Sequence, residues 1–338
     1  MLKRLSFPAV CAFALVAAQG LAVAGNGADL IKQVPETSQM VLVIDMAEAR
    51  DSPLLLKYYQ KLLDAQPDAQ AKLASIGLDP IKDIDTVFLA GGGTTELAMM
   101  KDSKDIVLII EGRLPKDRFQ TIPGMVKSKH QGIEIWAKDD TEAAFVGGRL
   151  FFAKKGKMPG AIDVALGKGG GRGKNAGSSA KAKKLRAAIA QTNTKSDAWM
   201  VVLIPDKDKT TMKQSGMEVD SLTMALKFTA DIAASLRLNA KDDATAAKAV
   251  GMIQPLLPQL TGGLKQMGLG KVATSITVAQ DKAAIMMTGV LTDGELNTLI
   301  ALAGGGSAAP APAPAPKPAP VVPKTGGLGG GVKTSPTP

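Results

Sequence analysis

The residues of this 338-residue chain best able to do chemistry are cations. From Lys154 to Lys195 stand eleven Lys and Arg against one acid, Asp163, so this segment carries a net +10, as does the whole chain. With the cations of the two chain ends also set aside, the remainder is mildly acidic. Positive charge concentrated in this way suits phosphate- or carboxylate-bearing partners such as anionic lipid heads, lipopolysaccharide phosphates or acidic polysaccharide. The residues nominated for polyanion contact are Lys168, Arg172, Lys174, Lys181, Lys183, Lys184 and Arg186. Nucleic acid is not expected, because no aromatic residue stands between Lys154 and Lys195 to stack on bases. The competing reading is a solvated loop and helix face whose charge serves solubility.

Other constellations fall short of chemistry. Gly167 to Lys174 looks at first like a phosphate-cradling loop. However, Lys168 occupies the place of the first glycine, and Asn175 stands where Ser or Thr should meet a metal. A glycine-rich linker between helices at Ala161 to Leu166 and Ser179 to Gln191 explains it better. The only histidine, His130, sits in the polar run Lys127 to Gln131, which reads as an exposed turn. One histidine cannot build a histidine-rich metal site, and no nucleophile is singled out beside it. Asp139, Asp140 and Glu142 fall at a hairpin turn, and Asp242 with Asp243 caps a helix, so structural duty accounts for these acids. The pairs Met99-Met100 and Met286-Met287 alternate across an extended chain and read as core filling rather than a soft-metal site. Trp136 and Trp199 read as core anchors. No catalytic residue, metal or cofactor is expected.

The elements that must carry these residues begin after an export signal. Lys3 and Arg4, an apolar run from Phe7 to Ala18, and Ala22-Val23-Ala24 read as a signal peptide over residues 1–24, cleaved before Gly25. Cys11, the only cysteine, leaves with it, so the mature chain holds no disulfide. The expected location is the periplasm or the medium, and no later segment is long and apolar enough to span a membrane. Residues 303–338, with Gly304-Gly305-Gly306 and Ala-Pro alternation from Ala309 to Pro316, read as a disordered proline-rich tail.

Between these ends the order β-α-β-β-α occurs twice. In the first copy a strand at Met40 to Met46 precedes a helix capped by Asp51 or Ser52, with Pro53 in its first turn. Strands follow at Asp85 to Ala90 and Asp105 to Glu111, then a helix from Pro115 through Phe119, Ile122 and Val126. In the second copy a strand at Ala233 to Asn239 leads to a helix from Asp242, interrupted near Pro255 and Pro258. Strands at Val272 to Val278 and Ala283 to Gly289 come next, and Thr292 with Glu295 forms a capping box for the last helix. Gly112 aligns with Gly289 in this register. Short strands are expected between the copies, among them Gly132 to Ala137, Glu142 to Val146, Arg149 to Ala153, Ala198 to Ile204 and Ser221 to Phe228. The expected fold is α+β, antiparallel sheet with helices on one face. Its parts are a first half at 25–153, a basic linker with short helices at 154–195, and a second half at 196–302.

Val34-Pro35 ahead of MVLVIDM, Asp51-Ser52-Pro53-Leu54, Ile76-Gly77-Leu78-Asp79-Pro80 with Lys82-Asp83-Ile84-Asp85, and Asp197-Ala198-Trp199 carry a resemblance. On them the chain resembles exported bacterial proteins of the domain-of-unknown-function kind, over residues 34 to 300. The resemblance implies a secreted α+β scaffold and transfers no catalytic residues. The leading reading is a non-catalytic envelope interaction module that contacts anionic components through its basic segment. A carrier for an apolar ligand comes second and a hydrolase last.

Overall fold

β-branched and aromatic runs form most of the strands, as pleated, half-buried positions favour. The computed structural model describes residues 30–65, 70–71, 73–74, 77–92, 106–119, 124–168, 179–214 and 218–303. The strands are β1 (Met40–Asp45), β2 (Ile84–Gly91), β3 (Val107–Gly112), β4 (Val126–His130), β5 (Ile133–Lys138), β6 (Thr141–Val146), β7 (Arg149–Lys154), β8 (Ala198–Leu203), β9 (Val219–Phe228), β10 (Ile232–Ala240), β11 (Thr277–Asp281) and β12 (Ala284–Leu291). Among the helices are α1 (Met46–Ala49), α2 (Pro53–Ala65), α3 (Pro80–Asp83), α4 (Lys116–Phe119), α5 (Met158–Ala165), α6 (Ala180–Ala190), α7 (Asp206–Gln214), α8 (Asp243–Ile253), α9 (Leu257–Gln266), α10 (Gly270–Ser275) and α11 (Asp293–Ala303).

One 12-stranded antiparallel sheet holds all of the strands among the described residues, in the order β11-β12-β10-β9-β8-β1-β2-β3-β7-β6-β5-β4. Strands before residue 155 lie together on one side and strands after residue 197 on the other. The seam is a single ladder, β1 against β8, running from Met40 opposite Val202 to Ile44 opposite Ala198. Bonds from Leu203 N to the Gln39 carbonyl and from Asp45 N to the Asp197 carbonyl, both 2.7 Å, extend it at its two ends. Tight turns set several hairpin registers. Gly147 and Gly148, at φ 58° and 82°, make the β6–β7 connection with the twist that adjacent strands require.

The chain forms the expected α+β antiparallel architecture, but the sheet is covered on both faces rather than one. All eight residues of β2 are buried. Val41, Val43, Phe88, Ile109, Trp199 and Val201 pack on one face with Met158 and Ile162 of α5 and Leu185, Ala188 and Ile189 of α6. Ile44, Val87, Leu89, Leu108, Trp136 and Val202 pack on the other with Met46, and Leu55 of α2 lies against them. Trp136 and Trp199 are each 2% exposed, as core anchors should be.

Three local expectations change. Of the helix expected from Pro115 the described residues show the four of α4, and Val126 begins an edge strand, β4, where it is 69% exposed. The alternation Val-Lys-Ser-Lys-His looks like a polar turn, yet lysines are what an unpaired sheet edge carries to discourage further pairing. The strand expected at Val272 to Val278 divides into α10 and β11. Glu295 accepts hydrogen bonds from Lys271 N (2.6 Å) and Val272 N (3.0 Å), and this cap outweighs the β preference of the segment.

The third concerns the repeat, whose two register-matched copies pair differently. β1, β2 and β3 are successive neighbours, whereas β12 lies between β10 and β11. Gly112 and Gly289 also do different work. Gly112 has φ 149°, and a Cβ there would lie 2.0 Å from the Asp83 carbonyl oxygen; at Gly289 the nearest atom would be Ile276 Cγ1 at 3.6 Å. The chain divides into two compact units, Met1–Thr298 and Leu299–Pro338, and the described residues of the second, 299–303, are helical. The proposed signal at 1–24 and nearly all of the tail at 303–338 lie outside the described residues. No helix among the described residues is long and apolar enough to cross a membrane.

Candidate anion-binding site

Helix α6 is built as its sequence suggests. Ser179 Oγ accepts from Ala182 N at 3.1 Å and caps it. Ala182, Leu185, Ala188 and Ile189, at helical spacing, are buried against the sheet. Lys181, Lys183, Lys184 and Arg186 are left exposed on the rest of the helix. The burial of one face thus fixes where the cations stand.

The first turn of α6 meets the end of β8. Between them lies a cavity of about 320 Å³, lined by Lys181, Lys184, Lys209, Asp206 and Asp220 around an apolar wall of Ala180, Leu203, Ile204 and Pro205, with Gln39 beside them. Lys209 Nζ lies 2.6 Å from Asp220 Oδ1 and 3.8 Å from Asp206 Oδ1. The side chains of Lys181 and Lys184 make neither an ion pair nor a hydrogen bond among the described residues. The site can therefore hold an anion by charge and hydrogen bonding. No group there is arranged as a nucleophile with its base.

Only part of the nominated set meets here. Lys168 hydrogen-bonds Gln131 Oε1 at 3.4 Å, at the β4–β5 turn, and does not line the cavity. Arg186 lies beside Ile31, Val34 and Pro35 instead, and Lys183 is exposed elsewhere on α6. Arg172 and Lys174 lie outside the described residues. Sequence reading missed Lys209, Asp220 and Gln39. The run Asp206-Lys207-Asp208-Lys209 reads as a solvated face, and nothing local links it to residue 181.

His130 stands at the end of a strand rather than in an exposed turn. Its Nε2 lies 2.7 Å from Asp163 Oδ1, with both side chains about a third exposed, and the pair ties β4 to α5. Glu142 accepts from Met158 N at 3.1 Å and so serves the start of α5. Asp242 accepts from Thr245 N at 2.8 Å, the capping role expected of it. No group of three or more metal-ligating side chains occurs among the described residues.

A second charged cluster gathers where β1, β2 and β8 meet α1. Asp197, fully buried, accepts from Phe228 N at 2.6 Å and from Lys227 Nζ, and the bond from Lys227 raises that lysine's pKa. Arg50 Nη2 donates to Asp85 Oδ1 at 3.0 Å. Burial raises the pKa of Asp85 against the lowering effect of Arg50. Burial, together with the charges of Glu48 and Asp197, raises that of Asp45, although hydrogen bonds from the backbone of Glu48 and Ala47 oppose it. The pairs Arg50–Asp85 and Lys227–Asp197 account for most of the charge in this cluster.

No protein-family model matches the chain, and no curated protein matches it. Among solved structures it is similar to crystal form I of TP0453, at 10% identity and a TM-score of 0.45, over 80% of this chain and 96% of that one. Crystal form IV of TP0453 gives 10% identity and a TM-score of 0.46, over 80% of this chain and 95% of the other.

Proposed function

We propose that this protein is a non-catalytic, exported envelope protein that engages anionic envelope components through the cationic face of α6. One observation carries the reading. Lys181, Lys183, Lys184 and Arg186 are exposed on a single helix whose apolar stripe is anchored in the core. Cations carried on one anchored helix attract a negative surface and leave its backbone little ordering to lose on contact. The mildly acidic remainder of the chain would orient the protein with this face toward such a surface.

The test is attachment of the full chain to phosphatidylglycerol-containing vesicles, with phosphatidylcholine vesicles as the neutral control. Attachment should be strong at about 0.1 M salt and weak at about 1 M, as the screening length shrinks from about 10 Å to about 3 Å. The combined substitutions Lys181→Gln, Lys183→Gln, Lys184→Gln and Arg186→Gln should remove attachment while leaving the melting temperature nearly unchanged, because exposed charges add little to folding. Equal attachment to neutral vesicles, or attachment indifferent to the four substitutions, would refute the reading.

A further inference from the structure

The cations of α6 are not equivalent. Lys181 and Lys184 line the cavity, whereas Lys183 and Arg186 do not. The third cation of the cavity, Lys209, is already engaged by Asp220 and Asp206. Those two carboxylates offset two of the three positive charges, which leaves the lining one positive charge in excess. A polyanion laid across the opening would meet Asp206, whose side chain is 96% exposed, and Asp220. Repulsion from these acids disfavours a run of negative charges. One anionic group placed between Lys181 and Lys184 meets less of this repulsion than a run of charges does, and neither lysine side chain has a partner among the described residues.

The rest of the lining describes what is attached to that anion. Ala180, Leu203, Ile204 and Pro205 form one wall, and Leu203 and Ile204 are core residues at the end of β8. An ion with hydration on all sides gains nothing from such a wall, whereas the first carbons of an apolar chain gain by burial there. The volume of about 320 Å³ lies at the small end of ligand cavities, which suits a head group and the start of a chain rather than a whole lipid.

We infer that this cavity is a single site for the phosphate-type head group of one amphiphile, its anion held by Lys181 and Lys184 and its first carbons on Leu203, Ile204 and Pro205. The site rests on the envelope reading above and narrows that reading to one ligand class. Lys209, held by its two acids, also lines the site and supplies a third donor.

Calorimetric titration of the full chain with decyl phosphate below its micelle concentration tests this, with inorganic phosphate and uncharged decyl maltoside as comparisons. Decyl phosphate should bind saturably at one site and more tightly than either comparison. Lys181→Gln with Lys184→Gln should weaken it by about tenfold or more, as loss of hydrogen bonds to a charged group does. Lys183→Gln with Arg186→Gln should change it by less than about twofold, as exposed charges do, though it weakens vesicle attachment. Equal loss from both pairs, inorganic phosphate binding as tightly as decyl phosphate, or decyl maltoside binding as tightly would each overturn the site. Vesicle attachment without saturable decyl phosphate binding would overturn the site and keep the envelope reading. Saturable decyl phosphate binding without vesicle attachment would do the reverse.

Discussion

Glu295 joins two helix starts in the last third of the chain. It is 5% exposed, and its carboxylate accepts from Thr292 N (2.9 Å) and Thr292 Oγ1 (2.8 Å) in its own helix and from Lys271 N (2.6 Å) and Val272 N (3.0 Å) at the start of α10. One residue therefore caps two helices. Glu295→Ala removes a capping box worth about 1 kcal/mol. It also leaves two amides unpaired at about 1 kcal/mol or more each, for a total near 3 kcal/mol. At about 2 to 4 °C per kcal/mol for a domain of this size, the melting temperature should fall by about 6 to 12 °C. Burial pushes the Glu295 carboxyl up, but the hydrogen bonds from Thr292, Val272 and Lys271 outweigh it and hold the pKa below the ordinary value. A carboxyl lowered in this way stabilises the fold above its unfolded pKa, and the contribution is lost as pH falls through the folded one. Glu295→Gln should thus be clearly destabilised at pH 7 in urea titrations, and its deficit should close below about pH 4. A Glu295→Gln protein as stable as the parent at pH 7, or a deficit unchanged in acid, would refute the double-cap reasoning.

Gly112→Ala should cost about 3 kcal/mol or more in urea unfolding, because the new Cβ would strike the Asp83 carbonyl oxygen, while Gly289→Ala should stay within about 1 kcal/mol. Trp136 Nε1 is buried with no hydrogen-bond partner among the described residues. Trp136→Phe therefore recovers part of its packing loss by removing that donor, and it should destabilise by about 1 kcal/mol less than Trp199→Phe in the same assay. Asp45 has a raised pKa, so its carboxyl favours the fold when protonated and its contribution is lost as pH rises through the folded value. Asp45→Asn keeps an acceptor for Glu48 N, now 3.2 Å away. Its melting temperature should exceed the parent's at pH 7 and match it below about pH 4.

Features decided within one turn of chain were legible in the sequence. Ser179 ahead of an apolar stripe, Asp242 before Thr245, Ser52 before Pro53 and the pair Thr292–Glu295 each announce a helix start, and each side chain makes the bond its type suggests. Features decided by distant partners were not. Nothing in Lys271-Val272-Ala273-Thr274 tells that a carboxylate 24 residues on will cap it as a helix. Apolar alternation finds β10 and β12 but does not say that β11 will stay at the edge. The cavity shows the same division. Lys181 and Lys184 could be nominated from charge density, but their meeting with Lys209 and Asp220 depends on β8 and β9 lying side by side.

The seam between β1 and β8 bears on how the chain is made. Every strand from β2 to β7 finds its neighbours within the first 154 residues, and β1 finds one of its two there, so that side can assemble as soon as it is synthesised. Until Ala198 to Leu203 follow, however, Met40 to Ile44 remain an open edge of five apolar residues with unpaired amides and carbonyls. Such an edge recruits any extended chain it meets. A polypeptide interrupted anywhere between residues 155 and 197 would be about half built with this edge open, and β8 covers it only to become the open edge itself until β9 pairs with it.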